Sequence, residues 1–192
     1  MARSKEFEEI EVLDKAVQLF WEQGYEKTSI ADLVEHMGIH RRSLYDTFGD
    51  KQALYMQAMN RYGQTINTTL EYRIKGSETA REAMESIFDF MIEDLDSAPA
   101  GCMYVNTAVE LGLRDNAANE MTTKGFIRTE QLLARIIRQG QVAGEFATSR
   151  DADELAELLH NALIGIRVWK RTSADLKKLH RIAKLSMEIL DR

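Results

Sequence analysis

The densest chemistry in this 192-residue chain lies in "EHMGIHRRSLYDTFGDKQALY", Glu35 to Tyr55. Arg41 and Arg42 stand side by side just after a glycine, with His40 before them and Ser43, Tyr45 and Thr47 within the next two turns. An arginine can present two donors to O6 and N7 of a guanine, worth about 1–3 kcal/mol of discrimination per well-placed pair. Tyr45 can donate to a phosphate. Thr28, Ser29 and Lys51 lie where flanking helices should begin, and the free N–H groups of a helix start favour an anion. The plain alternative is a solvated surface that happens to carry two arginines. Charge narrows the options. The chain sums to -6, and residues 1–55 hold 7 Lys/Arg against 11 Asp/Glu. Binding of nucleic acid through bulk positive charge is excluded, so any contact must come from a few placed side chains.

A second set of groups lies further on. Cys102 in "APAGCMYVNTAVEL" falls at the first turn of a helix, where a thiolate is favoured. Its bland counterpart is a small buried hydrophobe. With one cysteine in the chain, an internal disulfide and a CxxC metal site are both ruled out. Asn106 and Glu110 are four apart within an apolar helix, and a buried polar pair needs partners. A ligand could be one. His160 in "LLHNAL" reads as a satisfied core histidine as readily as a ligand contact. Together with Tyr62, Phe88, Met91, Tyr104, Phe126 and Trp169, these residues make up a candidate pocket of mainly apolar character. Aromatic and methionine residues at helical spacing are more often plain core. There is no HExxH, GxSxG, GxxxxGK[ST] or GxGxxG pattern. No metal or other cofactor is expected. Cys102, His160 and Glu110 are the remaining route to an enzyme, through a thiol nucleophile.

The elements that must position these groups are all helical. One proline among 192 residues and much Ala, Leu, Glu, Arg and Met favour helix throughout. Ile10, Leu13, Ala16, Val17 and Phe20 mark one face of a first helix, which Gly24 closes. Ser29 with Asp32 fits a capping box opening a second helix. Gly38 ends it, a turn of about three residues follows, and "RRSLYDTF" restarts. Helix, glycine turn and short helix together are a helix-turn-helix, whose second helix offers its first residues to base edges. Asp50 can cap a long fourth helix. Further helices are expected over "SETAREAMESIFDFMIEDL", "CMYVNTAVELGL", "NAANEMTTKGFIRTEQLLARIIRQGQVAG", "DADELAELLHNALIGIRVWKR" and "DLKKLHRIAKLSMEIL". No apolar run approaches the roughly 18 residues of a membrane span. No export signal is visible at the start, so a cytoplasmic location is expected.

The first quarter of the chain is similar to the N-terminal domain of TetR/AcrR-family bacterial transcriptional regulators. The resemblance rests on an ordered set: A-x-x-L-F at Ala16, Leu19 and Phe20; G-Y-x-x-T-S from Gly24; I-A-D at Ile30; Gly38 with Ile39; S-L-Y-x-x-F from Ser43 to Phe48; and G-x-K-x-x-L from Gly49 to Leu54. His40 departs from the Ser or Thr common in relatives. The resemblance implies an all-α fold of about nine helices. Residues 1–52 would bind DNA and residues 53–192 would bind a small molecule and dimerise. It further implies a homodimeric repressor on a palindromic double-stranded operator, released by a largely apolar effector. Two final apolar stripes, Leu155, Leu158, Leu159, Ala162, Leu163 and Ile166 with Leu179 and Ile182, would then form the dimer interface or the chain's own core. An activator of the same fold and a helical adaptor that never touches DNA stand as alternatives.

Overall fold

The computed structural model describes residues 8–93, 98–172 and 175–191. Nine α-helices and a closing 3₁₀ turn account for nearly all of them, and no strand occurs among the described residues. The helices are α1 (Glu9–Gln23), α2 (Ile30–Met37), α3 (Arg41–Phe48), α4 (Lys51–Lys75), α5 (Ala80–Ile92), α6 (Met103–Leu111), α7 (Asn116–Ala143), α8 (Ala152–Lys170) and α9 (Leu176–Met187). The 3₁₀ turn is Glu188–Asp191. The break expected at "DSAPAG" and the end of the preceding helix lie partly outside the described residues.

Most helix starts are set by one local side chain. Ser29 accepts the Asp32 N–H while Asp32 accepts the Ser29 N–H, so the expected capping box is present. Asp50, Thr79, Asp115, Asp151 and Asp175 cap α4, α5, α7, α8 and α9 in the same manner. Gly38 ends α2 at φ 70°, in the left-handed conformation that a glycine adopts without steric cost.

Two apolar clusters hold the helices together. In the first, Ala16, Phe20, Leu33, Met37, Leu44 and Phe48 pack with Leu54, Ala58 and Met59 of α4 and with Met103 and Leu111 of α6. Ile10 stands outside it, exposed at the first turn of α1, while Val12 and Trp21 are buried. Asp14 and Arg61 brace α1 to α4 through two hydrogen bonds of 2.7 and 2.9 Å. The second cluster joins α5, α7, α8 and α9 around Ile87, Phe88, Leu133, Ile137, Leu159 and Leu163. Helix α4 belongs to both, since its first half packs with α1–α3 and its later residues Ile66 and Leu70 reach the second. A division of the chain at residue 52 therefore cuts just inside a shared helix.

This packing settles the face of each late helix. Of the stripe expected either at a dimer interface or in the chain's own core, Leu155, Leu159, Leu163, Ile166 and Leu179 are buried in the core. The four on α8 recur at three- and four-residue steps, so they share one face, and that face is taken by the core; Leu179 meets the same core from α9. Ala162 and Ile182 are half-buried against that core, and Leu158 is 54% exposed. Val168, Leu176 and Leu185 also stand exposed.

Candidate DNA-reading helix and ligand cavity

Leu44 and Phe48 lie four apart on α3 and are buried, which fixes the helix against its neighbours. The opposite face is open. Arg41 and Arg42 project into solvent from the first turn. Arg41 lies over the Tyr45 ring at 5.8 Å and donates to its hydroxyl at 3.5 Å. Arg42 faces Asp46 at 3.5 Å, an exposed pair worth little in water. His40 sits at the helix N-cap without a side-chain cap bond and is exposed. Ser43 and Thr47 are half-buried, and Tyr45 is exposed. The Lys51 ammonium lies 4.2 Å from the centre of the Tyr25 ring, at the start of α4. Ser29 is exposed and already serves as the cap of α2. Thr28 differs from expectation. It is fully buried, and its hydroxyl donates to the Gly24 carbonyl at 2.6 Å, so its side chain has no face toward a phosphate.

Between α4, α6, α7 and α8 lies an apolar cavity. Of the expected pocket residues, Tyr62, Met91, Cys102, Tyr104, Phe126 and His160 line it. Phe90, Ile66, Thr129 and Arg167 line it as well and escaped the sequence reading. For Arg167 a signal existed: it lies seven residues after His160 and four after Leu163, on an apolar face of α8. The guanidinium is buried and donates to the carbonyls of Met91 and Gly101. His160 Nδ1 lies 2.9 Å from the Glu130 carboxylate. The Tyr62 hydroxyl donates to Cys102 Sγ at 3.3 Å, and burial pushes this phenol well above its ordinary pKa. Burial likewise raises Tyr104. The free volume is about 40 Å³, far below the roughly 300–1,000 Å³ of a small-molecule pocket.

Four expected pocket residues lie elsewhere. Phe88 is buried in the second core. Trp169 is 44% exposed, with the Lys178 ammonium 3.4 Å from its ring centre. Asn106 and Glu110 do find the partners that a buried polar pair requires, and these are backbone. Asn106 Nδ2 donates to the Trp21 carbonyl at 3.2 Å. The Glu110 carboxylate accepts the N–H groups of Tyr25 and Glu26 at 2.9 and 2.7 Å. Arg171 adds two bonds, to the carbonyls of Trp21 and Glu22. Helix α6 and the end of α8 thus grip the C-terminal end of α1. Gly24 makes room for this: its φ is 85°, and a Cβ there would stand 2.7 Å from Glu110 Oε2. The same short helix α6 therefore carries cavity residues as well as the hold on the C-terminal end of α1.

Among the described residues no group of His, Cys, Asp or Glu is placed to hold a metal ion. None of the helices is long and apolar enough to cross a membrane.

Comparison with known proteins agrees with this arrangement. Residues 12–58 match the family of bacterial regulatory proteins of the tetR type, and residues 76–185 match the tetracyclin repressor-like C-terminal domain. The chain is 31% identical to the uncharacterized HTH-type transcriptional regulator YezE of Bacillus subtilis, over the full length of both. It is 32% identical to the HTH-type transcriptional repressor ComR of Escherichia coli, over 97% of this chain and 90% of that one. Among solved structures, a cysteine-substituted CifR regulator bound to 26-base-pair operator DNA superposes with a TM-score of 0.88 at 25% identity, covering 98% of this chain and 99% of that one. These relatives are regulators rather than enzymes, which removes the thiol-nucleophile alternative. The chain belongs to the TetR family of bacterial DNA-binding transcriptional regulators.

Proposed function

We propose that this protein is a homodimeric repressor that reads a palindromic operator with α3 and releases it when a small molecule enters the cavity. The observation that carries the reading is the geometry of α3. Its inner face is locked by Leu44 and Phe48, and its first turn offers Arg41 and Arg42 to solvent. ComR is a repressor by name and CifR was solved on operator DNA, which supports repression and a duplex partner here. The contact set is Arg41, Arg42, Ser43, Tyr45, Thr47, His40, Lys51 and Ser29. Residues 1–52 carry the DNA-reading role and 53–192 the effector and dimer roles, with a cytoplasmic location to match a DNA partner.

The dimer forms through the outer faces of α8 and α9. Leu158, Leu176 and Leu185, left uncovered by the chain's own core, support this, with half-buried Ala162 and Ile182 at the margin. Two-fold symmetry then matches two half-sites. Coupling between effector and DNA is a reciprocal free energy carried by α6, which lines the cavity and holds the C-terminal end of α1.

Selection from a random duplex pool tests the reading, run with the parent and with an Arg41→Ala, Arg42→Ala variant. A palindrome enriched by the parent alone is expected. The double variant should keep the parent melting temperature, since both side chains are solvent-exposed. Enrichment by neither protein across a range of salt concentrations would overturn the proposal, because phosphate-mediated binding strengthens steeply as salt falls.

A further inference from the structure

The cavity is filled by one of its own side chains. Tyr104 projects from α6 into the space between α4 and α7. Gly63 of α4 and Gly125 of α7 flank it. A Cβ built on Gly63 would land on the Tyr104 hydroxyl. One built on Gly125 would stand 2.8 Å from Cδ2 and 2.9 Å from Cζ of the same ring. Neither glycine has a positive φ. Both lie inside helices, where glycine weakens the element, so what they supply is room. Tyr62 and Phe126 meet the ring edge-on at centroid distances of 5.2 and 6.5 Å. Two helix backbones and two ring edges bound the slot, the surroundings that a flat aromatic ring favours. The charged groups on the wall are already engaged: Arg167 by two carbonyls and His160 by Glu130.

We propose that the effector is an uncharged planar aromatic molecule that takes the slot between Gly63 and Gly125 in place of the Tyr104 ring, and by expelling it shifts α6. This rests on the ligand-released regulator reading above. A ligand that fits only the ring-out state biases the protein toward it. Tyr104 lies two residues before Asn106 and six before Glu110 on a nine-residue helix. Its displacement therefore reaches the side chains that hold the end of α1. The apparent affinity of the parent is reduced by the fraction of time the native ring occupies the slot.

The probe is 4-methylphenol, the side chain of tyrosine itself, measured by titration calorimetry. Tyr104→Ala should bind it on the order of tenfold more tightly than the parent, because the competing ring is gone. Tyr104→Phe refills the slot and should return to the parent value. Adding Gly125→Ala to Tyr104→Ala should abolish the gain, since a methyl then occupies the slot. In the parent background, Gly125→Ala alone should drive the ring out and weaken binding to the selected operator without any ligand. Equal affinity of parent, Tyr104→Ala and Tyr104→Phe for 4-methylphenol would overturn the proposal. So would equally tight binding of non-planar cyclohexanemethanol to Tyr104→Ala. Should Tyr104→Ala fail to fold, Gly125→Ala decides: parent-like operator affinity in that variant overturns it. The calorimetry involves no DNA, so a parent that selects no operator counts against the regulator reading while the slot is judged separately.

Discussion

Replacing Glu110 by alanine should loosen the joint between the two halves of the protein without touching either site. Its carboxylate accepts two backbone N–H groups at the end of α1. A hydrogen bond to a charged group contributes about 1.5–3 kcal/mol. The Glu26 donor is exposed, so water replaces the carboxylate there at little loss. The Tyr25 donor is part-buried and counts more. The expected destabilisation is about 2 kcal/mol, which for a chain of this size lowers the melting temperature by about 4–8 °C. Glu110→Gln keeps one acceptor oxygen without the charge and should lose about 1 kcal/mol. Operator affinity, read by fluorescence anisotropy, should fall along with stability, since the end of α1 leads directly into the capped start of α2. Gly24→Ala provides a control on the geometry. It forces a side chain into a backbone region that only glycine adopts freely, at about 1–3 kcal/mol, and also drives Cβ onto the carboxylate. With Glu110→Ala in the background the collision disappears and only the backbone strain remains. The two substitutions should therefore cost less together than the sum of their separate effects. A Glu110→Ala protein that melts within about 1 °C of the parent and keeps its operator affinity would refute the reasoning.

Two neighbouring leucines separate the proposed subunit face from the core. Leu158→Glu should shift sedimentation from dimer to monomer while the helical circular dichroism spectrum is retained; Leu159→Glu should lose the fold, because a carboxylate would be buried without a partner. A dimeric Leu158→Glu protein would count against the proposed interface. Burial pushes the Tyr55 phenol up to about 12, against an ordinary value of about 10. The folded state thus favours the neutral ring, and this contribution is full below about pH 10 and lost as pH climbs toward 12. Melting temperature should fall across that window, and less steeply in Tyr55→Phe; equal slopes would show that the phenol is not the titrating group. The variant also gives up a 2.8 Å hydrogen bond with Thr107. The Thr107 hydroxyl is itself 2.7 Å from the Met103 carbonyl, so the phenol is read as its donor.

Helix starts were readable because capping is local. Ser29, Asp32 and Asp50 act within three residues of themselves, and no distant contact can cancel them. The reading helix was legible for the same reason, since its turn, its two arginines and its anchoring Leu44 and Phe48 lie within eleven residues of sequence. The cavity was legible only in part. An apolar stripe says that a face is buried, and a shared helix can offer that face to a core, a cavity or another subunit. Phe88 and Phe90 look alike in sequence and both are buried in the second core, yet only Phe90 also reaches the cavity wall. Asn106 and Glu110 were recognisable as a polar pair in need of partners. The partners turned out to be the backbone of residues 84 and 85 positions away. Thr28 and Ser29 offer the same chemistry in sequence at the start of α2, yet Ser29 is the exposed cap and Thr28 is buried with its hydroxyl on Gly24. The burial that separates them depends on α1.

The chain of aromatic rings has a spectroscopic consequence. Trp21 meets Tyr62 edge-on at 4.9 Å, Tyr62 meets Tyr104, Tyr104 meets Phe126, and Phe126 meets His160. The protein has two tryptophans. One is buried at the head of this series, where α1 meets α4, and the other is exposed on α8 beside Lys178. Their emission should therefore separate by colour, with blue light from Trp21 and red-shifted light from Trp169. Because Trp21 also supplies the carbonyl gripped by Asn106 and Arg171, its signal reports on the joint itself. The molecule thus carries its own optical gauge of the contact that α6 and the end of α8 make with α1, with a second gauge on the outer face of α8, and neither requires a label.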